Sequence, residues 1–147
     1  MNLHAPAKTF LIGEYVATTG GPAIVLATYP AFSLSIDSKS SELINIHPES
    51  PAGLWYACQK TKPLGLKFSD PYQGKGGLGA SSAQFVLVYK AVKNFLDEPC
   101  NIQSLLAEYH NYSWHGRGIR PSGYDVITQY VGNTLYIDNE GVTKLQL

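Results

Sequence analysis

The chain has 147 residues, 44% of them hydrophobic and 12% aromatic, enough for one domain with its own core and too few for two ordinary domains. That composition excludes a disordered tail or a low-complexity linker. Eleven Lys and Arg balance eleven Asp and Glu, and charged residues make up only 15% of the chain, so the basic stripe of a nucleic-acid binder is missing.

The opening Met1-Asn2-Leu3-His4-Ala5-Pro6 has neither the charged nor the apolar part of a secretory leader, and no apolar run approaches the roughly 18 residues of a membrane span. Leu3, Phe10, Leu11 and Ile12 predict a buried strand over residues 3–12, closed by a turn at Gly13-Glu14. After the turn signal Gly20-Gly21-Pro22, residues 23–27 read as a second strand. Phe32, Leu34 and Ile36 alternate with Ser33 and Ser35 and predict a third. Residues 37–53 are rich in Ser, Asn and Pro with a short strand at 43–46; a further strand is expected over 54–58, and 67–72 reads as loop. Cys58 and Cys100 are too few for a disulfide scaffold, so two reduced thiols in a cytoplasmic protein are expected.

Residues 74–79 form a glycine-rich loop. Ser81-Ser82 supplies an N-cap for a helix reaching residue 96, with Phe85, Val88, Val92 and Phe95 on its core face. A second helix is predicted over 102–114 with Leu105, Leu106 and Tyr109 inward, then a loop over 116–123 and a short helix over 124–130. Gly132-Asn133 turns into a strand at 134–137, and Asn139-Glu140-Gly141 into its hairpin partner at 142–145. Strands, then helices, then a closing hairpin is an α+β order.

Gly74-Lys75-Gly76-Gly77-Leu78-Gly79-Ala80-Ser81-Ser82-Ala83 is the segment richest in chemical meaning. Glycines let backbone N–H groups converge, and the helix behind them adds its positive end, which together make an anion site. A dinucleotide fingerprint fits Gly74, Gly76 and Gly79 formally, but the loop should follow a strand and the helix should lead to another strand. A Walker A loop fails because Ala80 stands where its lysine belongs. A nucleophile elbow at Gly79-x-Ser81-x-Ala83 fails because no histidine follows His115. A plain glycine turn with capping serines remains the bland alternative. His110 and His115 are five apart, on different helix faces, and make poor joint metal ligands.

Three separated segments resemble, in order, signatures of the GHMP kinases, the superfamily of galactokinase, homoserine kinase, mevalonate kinase and phosphomevalonate kinase. They are Ala5-Pro6-Ala7-Lys8 through Gly13-Glu14-Tyr15-Val16 with Gly21-Pro22-Ala23; Gly77-Leu78-Gly79-Ala80-Ser81-Ser82-Ala83; and His115-Gly116 through Pro121-Ser122-Gly123-Tyr124-Asp125-Val126. The resemblance implies an N-terminal domain of the ribosomal-protein-S5-domain-2 type over residues 1–147, a mixed sheet with helices on one face. It also implies a C-terminal domain of comparable size, which this sequence does not include.

By the same resemblance the activity is ATP-dependent phosphorylation of a small alcohol or phosphate ester, with ATP and Mg2+ as cofactors. Backbone amides over Lys75, Gly76, Gly77, Leu78, Gly79, Ala80, Ser81 and Ser82 would cradle the phosphates. Ser81 aligns with the family's magnesium-contacting serine, and Glu108, with Asn111 behind it, is the candidate for the second metal ligand. Asp125 would be the catalytic base. Lys8 lies in an otherwise apolar strand where an ammonium is costly to bury alone, so it is paired with Asp125. Glu14, Tyr15, Ser122 and Gly123 are the candidate substrate residues. Gly13-Glu14-Tyr15 and Ser122-Gly123-Tyr124-Asp125-Val126 resemble phosphomevalonate kinases, whereas His115-Gly116 and Pro121-Ser122-Gly123 resemble mevalonate kinases. The competing class is a non-catalytic nucleotide-binding or interaction domain that works with a partner chain, as a homodimer for example. RNA binding, suggested by translation proteins with the same domain type, is opposed by the neutral charge.

Overall fold

β1 (Asn2–Ile12) runs antiparallel along β2 (Ala23–Asp37), pairing from Asn2 with Ser35 to Ile12 with Ile24. The computed structural model describes residues 1–60 and 63–146. The two strands expected at 23–27 and 32–36 are thus one element. Pro6 and Pro30 lack the N–H a ladder needs, and the pairing slips there: Ala5 faces Phe32 while Ala7 faces Thr28. The resulting bulge contains the cis Tyr29–Pro30 peptide. It also shifts the pleat by one step. Val25 and Phe32, an odd number apart, are therefore both fully buried.

The other edge of β2 is divided. Its first half, Ala23 to Leu26, pairs with β5 (Thr134–Asp138), and its second half, Ser33 to Asp37, with β4 (Gly65–Ser69). β3 (Leu43–Ile44) lies parallel to β4, and β6 (Gly141–Leu145) closes the hairpin with β5. Among the described residues this is one six-stranded mixed sheet. Four α-helices cover it, α1 (Pro51–Ala57), α2 (Ala80–Phe95), α3 (Ile102–Ser113) and α4 (Tyr124–Val131); α2 and α4 pack directly on the strands, and α1 and α3 pack mainly on the other helices. Ala5 and Ala7 of β1 are fully buried, and their small side chains admit α2 and α4 close to the sheet. The larger core joins Phe32, Leu34, Trp55, Phe85, Val88 and Leu105, and a second one joins Val25, Tyr124, Ile127 and Leu135.

Three local expectations are corrected. Residues 54–58 fall in α1 and not in a strand: Ser50 caps the helix by accepting the Gly53 N–H at 3.1 Å and Pro51 opens it, a start geometry that outweighs the aromatic run behind it. Residues 67–69 belong to β4, whose Leu66 and Phe68 point inward while Lys67 and Ser69 stay exposed. Phe95, expected in the core, is the last residue of α2 and is 44% exposed. No helix among the described residues is long and apolar enough to cross a membrane, and Cys58 and Cys100 are both free thiols.

Candidate functional site

β4 delivers the chain to the glycine loop through a self-contained turn. The Asp70 carboxylate accepts the Tyr72 N–H at 2.7 Å and the Gly74 N–H at 2.9 Å. The Tyr72 hydroxyl donates to the Pro30 carbonyl at 2.7 Å, and its ring packs 5.6 Å from that of Phe32. Beyond it, Gly74, Gly76 and Gly77 have open space where a Cβ would project. The loop closes where the Lys8 N–H of β1 donates to the Leu78 carbonyl at 3.1 Å.

Gly79, and not Ser81 or Ser82, is the N-cap of α2. It sits in the left-handed region (φ 85°, ψ 32°), and no side chain caps the helix. The N–H groups of its first turn have no intrahelical acceptor and remain free for an anion. Ser82 turns inward instead: its hydroxyl donates to Gln129 Oε1 at 2.6 Å and lies 3.0 Å from the Gly79 carbonyl, to which Gln129 Nε2 donates at 2.8 Å. Ser82 and Gln129 are each only 2% exposed. Gln129 belongs to no motif in the sequence; its one signal is a polar residue four positions after Asp125 on one helix face.

The opposite wall is the start of α4, where Gly123 caps in the left-handed region (φ 77°) and Asp125 lies in the first turn. An Asp125 carboxylate oxygen accepts the Val126 N–H at 2.9 Å. The segment leading in is held at its end: His110 Nε2 donates to the Pro121 carbonyl at 2.9 Å and the Ser122 hydroxyl accepts the Tyr124 N–H at 3.2 Å. Burial, then the nearby Arg120 guanidinium, lowers the His110 pKa from its ordinary value, which favours the neutral ring with its proton on Nε2.

Lys8 is nine-tenths buried between the two walls, its ammonium 5.0 Å from the Phe10 ring centroid. Lys8, Lys75, Gly77, Ser81, Tyr109 and Asp125 line one cleft of about 360 Å³. The expected Lys8–Asp125 ion pair does not form; Lys93–Glu98 is the ion pair among the described residues. The cleft thus holds a cation without a protein counter-ion beside free amides, with a carboxylate across from it.

Glu108 is not part of this cleft. It lines another, with Trp55, Tyr89 and Lys93, because adjacent helix positions face about 100° apart and it is Tyr109 that faces the glycine loop. Burial raises the Tyr109 phenol pKa, and the Asp125 charge raises it further, against an opposing Ser113 hydrogen bond. No cluster of three His, Cys, Asp or Glu able to hold a metal occurs among the described residues. The oxygen donors present, the Ser81 hydroxyl and the Asp125 carboxylate, suit Mg2+, which takes few protein ligands and binds through phosphates and water. Glu14 and Tyr15 are exposed beyond β1 and line no part of the cleft, Tyr15 being 87% exposed. Ser122 opens instead on a larger cleft of about 750 Å³ with Thr18, His110, Arg120 and Asp138, and Gly123 contributes through the α4 cap.

A mixed sheet covered by helices, with a glycine loop opening α2, is an α+β fold found among small-molecule kinases, the one expected of a GHMP N-terminal domain. The Methanococcus jannaschii mevalonate kinase structure superposes with a TM-score of 0.74 over 100% of this chain and 56% of its own, at 20% identity. The Streptococcus pneumoniae phosphomevalonate kinase in complex with phosphomevalonate and AMPPNP gives a TM-score of 0.71 over 92% of this chain and 49% of its own, at 19% identity. A 4-(cytidine 5'-diphospho)-2C-methyl-D-erythritol kinase gives 0.63 over 100% and 56%, at 19% identity. The chain spans about half the length of these solved structures. No family model and no curated protein matches the sequence.

Proposed function

We propose that this chain binds Mg-ATP over the glycine loop and serves as the nucleotide-binding half of a kinase for a small alcohol or phosphate ester, such as mevalonate or phosphomevalonate. The observation that carries the reading is Lys8: a residue nine-tenths buried whose ammonium, without an ion pair, lines the cleft shared by the α2 N-terminus and Asp125. A polyanion entering there would supply the missing counter-charge and meet the uncapped amides and the loop glycines at once. The fold shared with solved kinases, one of them holding phosphomevalonate and AMPPNP, supports the same chemistry.

The acceptor hydroxyl oxygen attacks the γ-phosphorus, the bond from that phosphorus to the β–γ bridging oxygen breaks, and ADP leaves with the electron pair. The hydroxyl proton passes to the Asp125 carboxylate. Lys8 balances charge on the phosphoryl group, and the amides of Ala80, Ser81 and Ser82 orient the phosphates. Mg2+, which Ser81 would contact, neutralises phosphate charge when bound.

Titration calorimetry with Mg-ATP tests binding, and ADP release with mevalonate or phosphomevalonate tests transfer. Asp125→Asn is expected to cut turnover by about 10²–10⁴-fold; full turnover in that variant would sink the assignment of Asp125. A second reading, a nucleotide-binding domain that associates with a partner chain or a second copy, is favoured by the exposed Leu11, Ile12, Tyr15 and Val16 around the end of β1. Mg-ATP binding with no turnover, together with concentration-dependent association in sedimentation, would select it.

A further inference from the structure

We infer that Gln129 is a positioning residue that fixes the phosphate-binding end of the glycine loop against the helix carrying Asp125; the inference rests on the nucleotide-binding reading of that cleft. The Gln129 carboxamide uses both ends on the loop. Nε2 donates to the Gly79 carbonyl at 2.8 Å and Oε1 accepts the Ser82 hydroxyl at 2.6 Å, closing a ring of three polar groups around the first turn of α2. The Gly79 carbonyl also accepts the Ala83 N–H at 2.9 Å, the first helical bond of α2. One carbonyl thus ties the helix start to Gln129.

A side chain at Gly79 would displace this contact. A Cβ on Gly79 would stand 2.6 Å from Gln129 Nε2 and 2.9 Å from Lys8 Cγ. Gln129 lies four residues after Asp125 on α4, one turn along the same face. Beside the apolar packing of Val126 against α2, Gln129 thus makes the polar link between the amides at the loop's end and the helix of the carboxylate, reaching a partner 50 residues away. A helix whose first amides must stay free for a ligand cannot be capped from within, and Gln129 supplies the restraint from outside without occupying a donor that the phosphates need.

The test uses Gln129→Met, which keeps length and approximate volume but removes both hydrogen bonds, and Ser82→Ala, which removes one arm at lower risk to folding. Amide exchange of Ala83 reads the clamp without ligand, and Val88, farther along α2, serves as an internal control. Expected in Gln129→Met are exchange at Ala83 faster by about tenfold, unchanged exchange at Val88, and Mg-ATP affinity weaker by about tenfold or more, with Ser82→Ala showing the smaller share of both. Faster exchange throughout α2 assigns Gln129 to plain core stability and overturns the proposal. So does unchanged Mg-ATP affinity with the wild-type protein binding normally. If the wild-type protein binds no Mg-ATP, the nucleotide reading fails by itself, and equal Ala83 exchange in wild type and Gln129→Met overturns the clamp independently. If Gln129→Met does not fold, Ser82→Ala carries both readouts.

Discussion

Residues 74–79 and 116–123 both pass through glycines that have nothing within 4 Å of a Cβ position (Gly74, Gly76 and Gly77; Gly116 and Gly118) and both end on a left-handed glycine that caps a helix. What lies behind the capping glycine differs. Gly79 backs onto the Gln129 amide and the Lys8 stem. Gly123 backs onto the Leu106 methyl at 2.3 Å and the His110 ring at 3.2 Å from the Cβ position. The loop that would receive phosphates is fixed by buried hydrogen bonds, and the segment that leads to the carboxylate by a rotatable aliphatic arm and a titratable ring. Open space along the loop and fixation at the helix start would leave backbone amides accessible to a ligand while the helix axis stays put.

The largest expected effect is Gly79→Ala. The left-handed backbone costs about 1–2 kcal/mol, overpacking against Gln129 and Lys8 about as much again, and nucleotide binding is lost with it. Gly123→Ala pays the same backbone term but meets the flexible end of Leu106, which can change rotamer, so its denaturation midpoint should move less. Equal losses in the two variants would break the comparison.

The next effect is pH. Because the folded-state pKa of His110 is depressed, the unfolded chain takes up this proton first as pH falls below its ordinary value of about 6.5. The stability associated with neutral His110 is complete above that value and declines as pH drops toward the folded pKa. Protection of the Ile127 amide, bonded to the Gly123 carbonyl at 3.0 Å, taken relative to its intrinsic exchange rate, should fall as pH drops from about 7.5 to about 5.5, while that of Ala83 stays constant. His110→Gln should remove the difference.

The smallest effect is Gly76→Ala. A Cβ there meets nothing and its φ is not in the left-handed region, so stability should stay within about 0.5 kcal/mol. A loss of Mg-ATP affinity in this variant would locate the phosphates against the loop backbone at that residue.

The sequence was readable where periodicity ran long. β1, α2, α3, α4 and the closing hairpin follow the expected spans to within a few residues. The apolar aromatic run Leu54-Trp55-Tyr56 reads as a strand, and the helix start Ser50-Pro51 overrides it in α1. β4 was missed because only Leu66 and Phe68 alternate before Asp70-Pro71 breaks the pattern. Finding that strand removes one objection to a dinucleotide loop; the other holds, since α2 leads to α3 and not to a strand. In the site, the loop, Lys8 and Asp125 were legible as motifs and do meet in one cleft. Glu108 was misplaced because spacing alone does not say which of two adjacent helix residues turns toward a loop. Gln129 was invisible because its partners at Gly79 and Ser82 become neighbours only after the sheet has brought α2 and α4 together.

The divided edge of β2 has a consequence for how the molecule comes apart. β4 and β5 share no ladder; each is joined to the other only through one bent strand, and the β5–β6 hairpin is attached to the sheet along four paired positions, Ala23 to Leu26. Both halves of β2 lie between two strands, the first between β1 and β5 and the second between β1 and β4. Because Leu135 and Ile137 of β5 are buried in the second core with Tyr124 and Ile127 of α4, losing the hairpin would uncover the start of the helix that carries Asp125, and the two are expected to open as one unit.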